Sequence, residues 1–278
     1  MKISETTSIN TEFLEEPGFD TCTTAEDIRL EWLNNQCKRE NRLEGDLNKY
    51  DGFNCDTCKN KGFVAVVSEN YEVVHRYCKC RKTRKSIIAM KNSGLEKVMD
   101  KLTFDKFIAK QTWQEELLRK ANHYLVNGGK SWFFIGGQSG AGKTHLCTAI
   151  ALELLKRGQE VKYMLWRDDS RKLKNSMFDG GSDIDYYKTV DVLYIDDLFK
   201  TGKNEFQQNQ KPTAGDINLA FEILNSRAIG QKTTIISSES TLTDLIDIDE
   251  AIAGRIKRES GEFFININKD SAKNYRLW

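Results

Sequence analysis

The stretch SWFFIGGQSGAGKTHL, residues 131–146, constrains this chain more than any other part of it. An apolar run from Trp132 to Ile135 leads into Gly137-x-x-x-x-Gly142-Lys143-Thr144. Leu146, Ile150 and Leu154 then recur at helical spacing, and Gly158 offers a stop. A strand that turns through glycines straight into a helix is a phosphate-binding loop in its required context. Gly137, Gly140 and Gly142 let backbone N–H groups approach and wrap phosphates. Lys143 is positioned to neutralise the β- and γ-phosphates, Thr144 offers a hydroxyl to Mg²⁺, and the helix N-terminus favours anionic charge. The nucleotide-contacting run is assigned as Gly137, Gln138, Ser139, Gly140, Ala141, Gly142, Lys143, Thr144 and His145.

A second apolar strand, in VDVLYIDDLF, ends in Asp196-Asp197. A carboxylate at a strand's C-terminal end beside a P-loop is where Mg²⁺ coordination needs one, so Asp196 is the candidate Mg²⁺ partner with Thr144. Asp197 is then free to orient or deprotonate the attacking water. The remaining pattern alternates strand and helix: VKYMLW, a polar helical stretch, the Asp-Asp strand, a helix from Asp216 to Ile229, TTIIS, another helix, and FFINI. That order predicts an α/β domain with a mainly parallel, doubly wound sheet. About a dozen residues follow the last strand, too few for a full helical lid.

Ahead of this domain, Cys55 and Cys58 form a C-x-x-C pair, and Cys78 and Cys80 a C-x-C pair. Between them FVAVV and YEVVHRY, split by the polar SEN, read as a hairpin that returns the second pair to the first. The C-x-C thiolates are expected at i and i+2 on one strand face. Four thiolates suit a closed, tetrahedral, structural Zn²⁺ site. Lys59, Lys61, Arg76, Lys79 and Arg81 are near enough in sequence to offset its negative charge, and His75 is read as lying on the hairpin without a ligand role. Compartment bears on this reading. No apolar run is long enough to span a membrane and MKISETTSINTEF lacks a signal-peptide core, so a cytosolic, thiol-reducing setting is expected and clustered cysteines point to metal. Cys22, Cys37 and Cys147 have no partners in spacing, and Cys147 reads as helix core.

The formal net charge is +1, so any nucleic-acid binding must come from local patches. Two are visible. Val73 to Leu95 carries no acidic residue but has Arg76, Lys79, Arg81, Lys82, Arg84, Lys85 and Lys91, which either track phosphates or form a solvated helix that compensates the metal site. The helical stretch after YMLW carries Arg167, Arg171, Lys172 and Lys174. Nearer the start, Thr23 with Glu26 matches a helix capping box, Gly45 suits the helix stop, and Ile28, Trp32 and Leu33 form a narrow apolar stripe that either packs on the following module or docks a partner.

Together these motifs resemble the AAA+ helicase loaders of the bacterial DnaC/DnaI type and their phage relatives, related to the short transposition helper ATPases. GGQSGAGKTHL and YIDDL are similar to that family's nucleotide motifs. LTFDKF, with Phe104, is similar to the segment the family places beside adenine, and IDEAIAGRI to the helix carrying its arginine finger, here Arg255. The cysteine module resembles the N-terminal domain of the DnaI-type loaders. The resemblance implies an ATPase using Lys143, Asp197 and Arg255, with ATP, Mg²⁺ and Zn²⁺ as cofactors. It further implies that the N-terminal domain grips a replicative ring helicase of the DnaB family. The ATPase domain would self-associate, hexameric with the helicase, and contact single-stranded DNA through Arg167, Arg171, Lys172 and Lys174. The expected division is 1–85 as helical and zinc-binding domain, 86–101 as linker, and 102–278 as ATPase domain. One position departs from the pattern: after TTIIS the superfamily usually has an Asn that senses γ-phosphate, and here Glu239 stands, with Ser238 before it. A transposition helper ATPase is the alternative, though that group typically lacks a zinc module. A zinc-bearing small-molecule kinase is a third reading, disfavoured by the Arg255 helix.

Overall fold

A computed structural model describes residues 24–91, 100–178, 183–202 and 211–277. The N-terminal module opens with α1 (Ala25–Arg42). Its cap is Thr24, whose hydroxyl accepts from Asp27 N at 3.1 Å while the Asp27 carboxylate returns to the Thr24 N–H. The capping box thus sits one residue later than Thr23 and Glu26 suggest; Thr23 lies outside the described residues. The apolar stripe divides. Leu33 and Cys37 are buried, whereas Ile28 and Trp32 are 60% and 64% exposed.

After the short α2 (Asn48–Asp51) come β1 (Phe63–Val67) and β2 (Val73–Tyr77), which pair antiparallel as the expected hairpin. Asn41 of α1 fastens the helix to it, its amide donating to Ala65 O and accepting from Ala65 N, both at 2.8 Å. Gly45 is not the helix stop, because α1 has ended at Arg42. It lies where the chain passes the cysteine knuckle, and an added Cβ would sit 2.6 Å from Asn60 O. Then α3 (Cys80–Met90) begins on a cysteine and runs onto the second domain. There Ser86 Oγ accepts from Val161 N at 3.1 Å, and Met90 is fully buried in that domain's core. The linker expected over 86–101 therefore starts inside a packed helix.

The second domain contains α4 (Thr112–Asn127), β3 (Phe133–Gly137), α5 (Lys143–Lys156), β4 (Val161–Leu165), α6 (Trp166–Phe178), α7 (Asp183–Thr189), β5 (Val192–Asp196), α8 (Ala214–Ile229), β6 (Thr233–Ser238), α9 (Leu242–Ile248), α10 (Glu250–Ser260) and β7 (Phe264–Ile267). The strands form one parallel sheet of order β4-β5-β6-β3-β7. Helices cover both faces, which is why β3, β5 and β6 are buried throughout and read as continuous apolar runs. Alternate residues go to opposite cores. Phe133, Ile135 and Tyr194 face α5 with Leu146 and Ile150, while Phe134, Ile195 and Ile236 face α8 and α10 with Leu219, Ile223, Ile252 and Ile256. Truncating one such fully buried Leu or Ile to Ala costs roughly 2–5 kcal/mol. No helix among the described residues is long and apolar enough to cross a membrane.

The strand order matters for chemistry. β6 lies between β3, which carries the P-loop, and β5, which ends in Asp196. The tip of β6 therefore stands between the loop and the carboxylates, and ligands of open α/β sheets bind at such C-terminal strand ends.

Candidate functional site

At the end of β3 the chain enters the loop with Gly137, Gly140 and Gly142 at positive φ. All three are required by close approach as well, and a Cβ on Gly137 would lie 1.9 Å from Ile267 O. A Cβ on Gly140 would lie 1.9 Å from Asn274 Oδ1, and one on Gly142 2.8 Å from the Phe107 ring. Lys143 Nζ donates to the Gly137 and Gln138 carbonyls at 3.0 and 2.7 Å, and burial depresses its pKa. These carbonyl bonds hold the ammonium at the centre of the loop, where phosphate oxygens can replace them as acceptors.

Thr144 Oγ1 donates to Asp196 Oδ1 at 3.1 Å. Three more hydroxyls converge on Asp196: Tyr194 at 2.9 Å, Tyr163 at 3.0 Å, and Ser237. The carboxylate is 4% exposed and fixed in orientation beside the Thr144 hydroxyl. A hydroxyl and a carboxylate so paired are oxygen donors of the kind Mg²⁺ takes in P-loop sites. Asp197 follows in the left-handed conformation, φ 58°, its N–H donating to Ser237 Oγ at 3.0 Å. Burial raises its pKa, and a hydrogen bond from Lys200 at 2.8 Å works against that rise.

Glu239, at the tip of β6, is not left facing the loop alone. It accepts from Lys200 Nζ at 3.2 Å and from Ser139 Oγ at 3.1 Å. Burial opposes its ionisation, but the Lys200 charge and the two hydrogen bonds outweigh burial and hold the carboxyl below its ordinary value. Ser238 does not take its place in the cavity; its hydroxyl donates to Leu198 O at 2.8 Å.

These groups line a cavity of about 490 Å³ bounded by Ser139, Gly140, Gly142, Lys143, Thr144, His145, Asp197, Lys200 and Glu239. Leu102, Lys106, Phe107 and Ile108 close one side. The LTFDKF segment is thus at the cavity, but through Leu102, Lys106 and Phe107. Phe104 packs partly buried against the core instead, because the 3₁₀ turn Phe104–Lys106 points it inward. His145 is turned aside, hydrogen-bonded to Thr103 O at 2.8 Å and edge-on to Phe107. The residues after β7 fold back over the loop, where Tyr275 N donates to Gly140 O at 2.9 Å, its hydroxyl to Ile108 O, and Arg276 borders the cavity. Sequence reasoning missed Tyr163, Tyr194, Lys200 and Tyr275. Only Tyr194 carried a signal, since two residues before Asp196 on a strand means the same face.

Arg255 is not part of this cavity. It lies on α10 over the Phe221 ring of α8, 5.0 Å from its centroid, with Nε and one terminal nitrogen buried and lacking a hydrogen-bond partner among the described residues.

In the N-terminal module the sulfurs of Cys55, Cys58, Cys78 and Cys80 lie within 4.8 Å of one another. Cys55 to Cys78 is 3.8 Å and Cys58 to Cys80 is 3.5 Å. A tetrahedral ion with bonds of about 2.3 Å needs sulfurs about 3.8 Å apart, so the cluster fits Zn²⁺. The C-x-C pair does not share a strand face: β2 stops at Tyr77 and Cys80 opens α3. The helical turn brings Cys80 round to its partners. Arg84, one helical turn further on, favours the Cys80 thiolate. Its guanidinium pairs with buried Asp51 and donates to Asn60 at 2.9 Å. His75 is paired with Glu40, away from the cluster.

The candidate DNA helix is charge-matched. Arg171 pairs with Asp168 at 3.2 Å and Lys172 with Asp169 at 3.4 Å, both as exposed i,i+3 pairs. Lys174 binds Asp216, the residue of the Thr213 capping box that starts α8, so its ammonium ties two helices together and does not face solvent freely. Arg167 is exposed and borders a second cavity with Lys211 and Lys269.

The model of the family described as IstB-like ATP binding protein matches residues 60–255. The chain is 30% identical over 224 residues to the uncharacterized protein YqaM of Bacillus subtilis (strain 168), covering 76% of this chain and 69% of YqaM. It is 30% identical over 246 residues to the phage-like element PBSX protein XkdC of the same strain, covering 84% of this chain and 89% of XkdC. Among solved structures, the DnaC helicase loader superposes with a TM-score of 0.49 at 20% identity, covering 62% of this chain and 98% of that one.

Proposed function

The chain belongs to the family of IstB-like ATP-binding proteins and is an AAA+ P-loop ATPase, and from that premise we propose that it is a helicase loader. In this reading it uses ATP to hold a DnaB-type replicative ring helicase and deliver it onto single-stranded DNA in the cytoplasm. The observation that carries the proposal is the placement of Arg255. A half-exposed guanidinium on α10, outside the chain's own cavity and without an ion pair among the described residues, suits contact with nucleotide on a neighbouring subunit, as a ring-associated ATPase requires.

The roles follow from the cavity. Loop N–H groups and Lys143 bind the phosphates. Thr144 and Asp196 would hold Mg²⁺, which supplies charge neutralisation at the β- and γ-oxygens. Asp197, one residue beyond, orients water and takes its proton. Cys55, Cys58, Cys78 and Cys80 would hold Zn²⁺ as a structural ion, and exposed Ile28 and Trp32 on α1 form the surface assigned to the helicase. A transposition helper ATPase rests on the same family match. The four-cysteine module in front of the ATPase places it second.

The test is reconstitution with the purified DnaB-type helicase of the same source. The expected result is ATP-dependent transfer of the helicase to closed circular single-stranded DNA. A chain that binds no such helicase but joins a transposase on DNA would overturn the loader reading.

A further inference from the structure

Three ammonium groups border the nucleotide cavity: Lys143 of the P-loop, Lys106 on the side closed by Leu102 and Phe107, and Lys200, just past the Asp196-Asp197 pair. Its Nζ is 2.8 Å from Asp197 Oδ2 and 3.2 Å from Glu239 Oε1. Glu239 in turn is tied to Ser139 of the loop. A continuous polar chain, Ser139–Glu239–Lys200–Asp197, thus lines the wall where the tip of β6 stands between loop and carboxylates.

The backbone is shaped to aim Lys200 there. Asp197 and Phe199 both adopt left-handed φ, 58° and 61°, a conformation that non-glycine residues hold only when their surroundings enforce it. Here the enforcement is visible. Leu198 N donates to Ser237 O at 2.9 Å, Lys200 N to Asp197 O at 2.9 Å, and the Leu198 and Phe199 side chains are buried. The turn reverses the chain so that Lys200 points back into the cavity. Its side chain is 39% exposed and borders the cavity.

The end of a nucleoside triphosphate placed against Lys143 would meet Asp197 and Glu239 on the facing wall, two carboxylates against a dense negative charge. A like-charge contact of this kind opposes binding unless a cation intervenes. Lys200 is the cation bonded to both carboxylates of that wall. We propose that Lys200 is a γ-phosphate ligand, its ammonium shared between the γ-phosphate and the Glu239 carboxylate. Glu239 serves as its anchor, which accounts for a carboxylate in a position that otherwise carries a neutral amide. Drawing Lys200 toward the γ-phosphate also loosens its bond to Asp197, freeing that carboxylate for water. A diphosphate does not reach this wall, so Lys200 distinguishes triphosphate from diphosphate. The inference rests on the reading of the cavity as an ATP site.

Equilibrium titrations with ATP and ADP in the presence of Mg²⁺ test it, using the full chain and the variants Lys200→Met, Lys200→Arg, Glu239→Gln and Lys200→Met with Glu239→Gln. Binding by the wild-type chain tests the ATP reading itself; the ratio of the two affinities in the variants tests Lys200. Lys200→Met is expected to weaken ATP on the order of tenfold while leaving ADP unchanged, the effect of one lost charged hydrogen bond. Lys200→Arg should keep the ratio. The double variant should recover much of the loss, because the uncompensated carboxylate goes with its cation. Unchanged ATP affinity in Lys200→Met, an equal loss for ADP, or no recovery in the double variant would each overturn the proposal.

Discussion

Thr144 Oγ1 and Asp196 Oδ1 stand 3.1 Å apart, joining the first turn of the P-loop helix to the end of β5 in the parallel sheet. The pair sits where two elements remote in sequence meet, and the neighbouring Asp197 carboxylate faces the cavity and is bonded by Lys200 instead. The two adjacent carboxylates are therefore separable by mutation. Asp196→Asn is expected to weaken Mg²⁺-dependent nucleotide binding. Asp197→Asn should leave binding intact and lower turnover by about 10²-fold or more, the usual contribution of a positioned base. Titration and steady-state hydrolysis of both variants check this; wild-type turnover in Asp197→Asn would remove its assigned role.

Burial raises the Asp197 pKa above that of an ordinary carboxyl. The base must be ionised to accept a proton, so activity is lost as pH falls through this raised value. The acid limb of the kcat profile is accordingly expected at higher pH than an exposed Asp would produce. A limb at the ordinary Asp position would mean that another group limits the rate.

Arg255 lies outside the cavity of its own chain, so its effect should cross between subunits. Arg255→Ala and Lys143→Ala are each expected to be inactive alone and partly active when mixed, since each supplies what the other lacks. Absence of rescue in assemblies shown to contain both would assign Arg255 a role within its own subunit.

For DNA, the ion pairs on α6 narrow the candidates. Lys174 is committed to Asp216, leaving Arg167, Arg171 and Lys172 exposed. Changing Arg171 and Lys172 to Glu should weaken single-strand binding and flatten its salt dependence, because fewer counterions are released. Truncating Lys174 should instead lower thermal stability with little change in that slope. Identical salt slopes in wild type and the Glu variant would mark α6 as a solvated face.

Replacing Cys55 and Cys58 with Ser is expected to release bound zinc and unfold the small module, since metal binding and folding are linked at sites of this size. Nucleotide titration should still report ATP binding, while helicase association should disappear. A version lacking the first eighty-odd residues that still associates with the helicase would move the docking surface to the ATPase domain.

Much of the architecture can be read from the chain because its chemistry is local. A P-loop needs its glycines, lysine and threonine in one short run, and a buried parallel strand needs continuous apolar residues, so β3, α5 and β5 stand out. The hairpin between the cysteine pairs is local in the same way. What escapes is whatever depends on distant pairing. Glu239 reads as an isolated departure until Lys200, thirty-nine positions away, is seen bonded to it. Tyr275 gives no hint of covering Gly140, and Tyr163 reaches Asp196 only because its strand is the register partner of Tyr194. The C-x-C pair misled for a different reason: strand spacing and helix-start geometry both satisfy it, and only the backbone after Tyr77 decides between them.

Helix α3 begins at Cys80 and ends with Met90 inside the ATPase core, with Ser86 hydrogen-bonded to the edge strand β4. Anything that frays its first turn loosens a helix whose other end is part of the larger domain's packing. Calorimetry of the metal-loaded protein should then show the two domains melting largely in one cooperative transition. Adding a chelator should split it, with the ATPase peak moving to lower temperature as the edge strand loses its cover. In a chain built this way, metal supply would set the lifetime of the ATPase as well as the shape of the module in front of it.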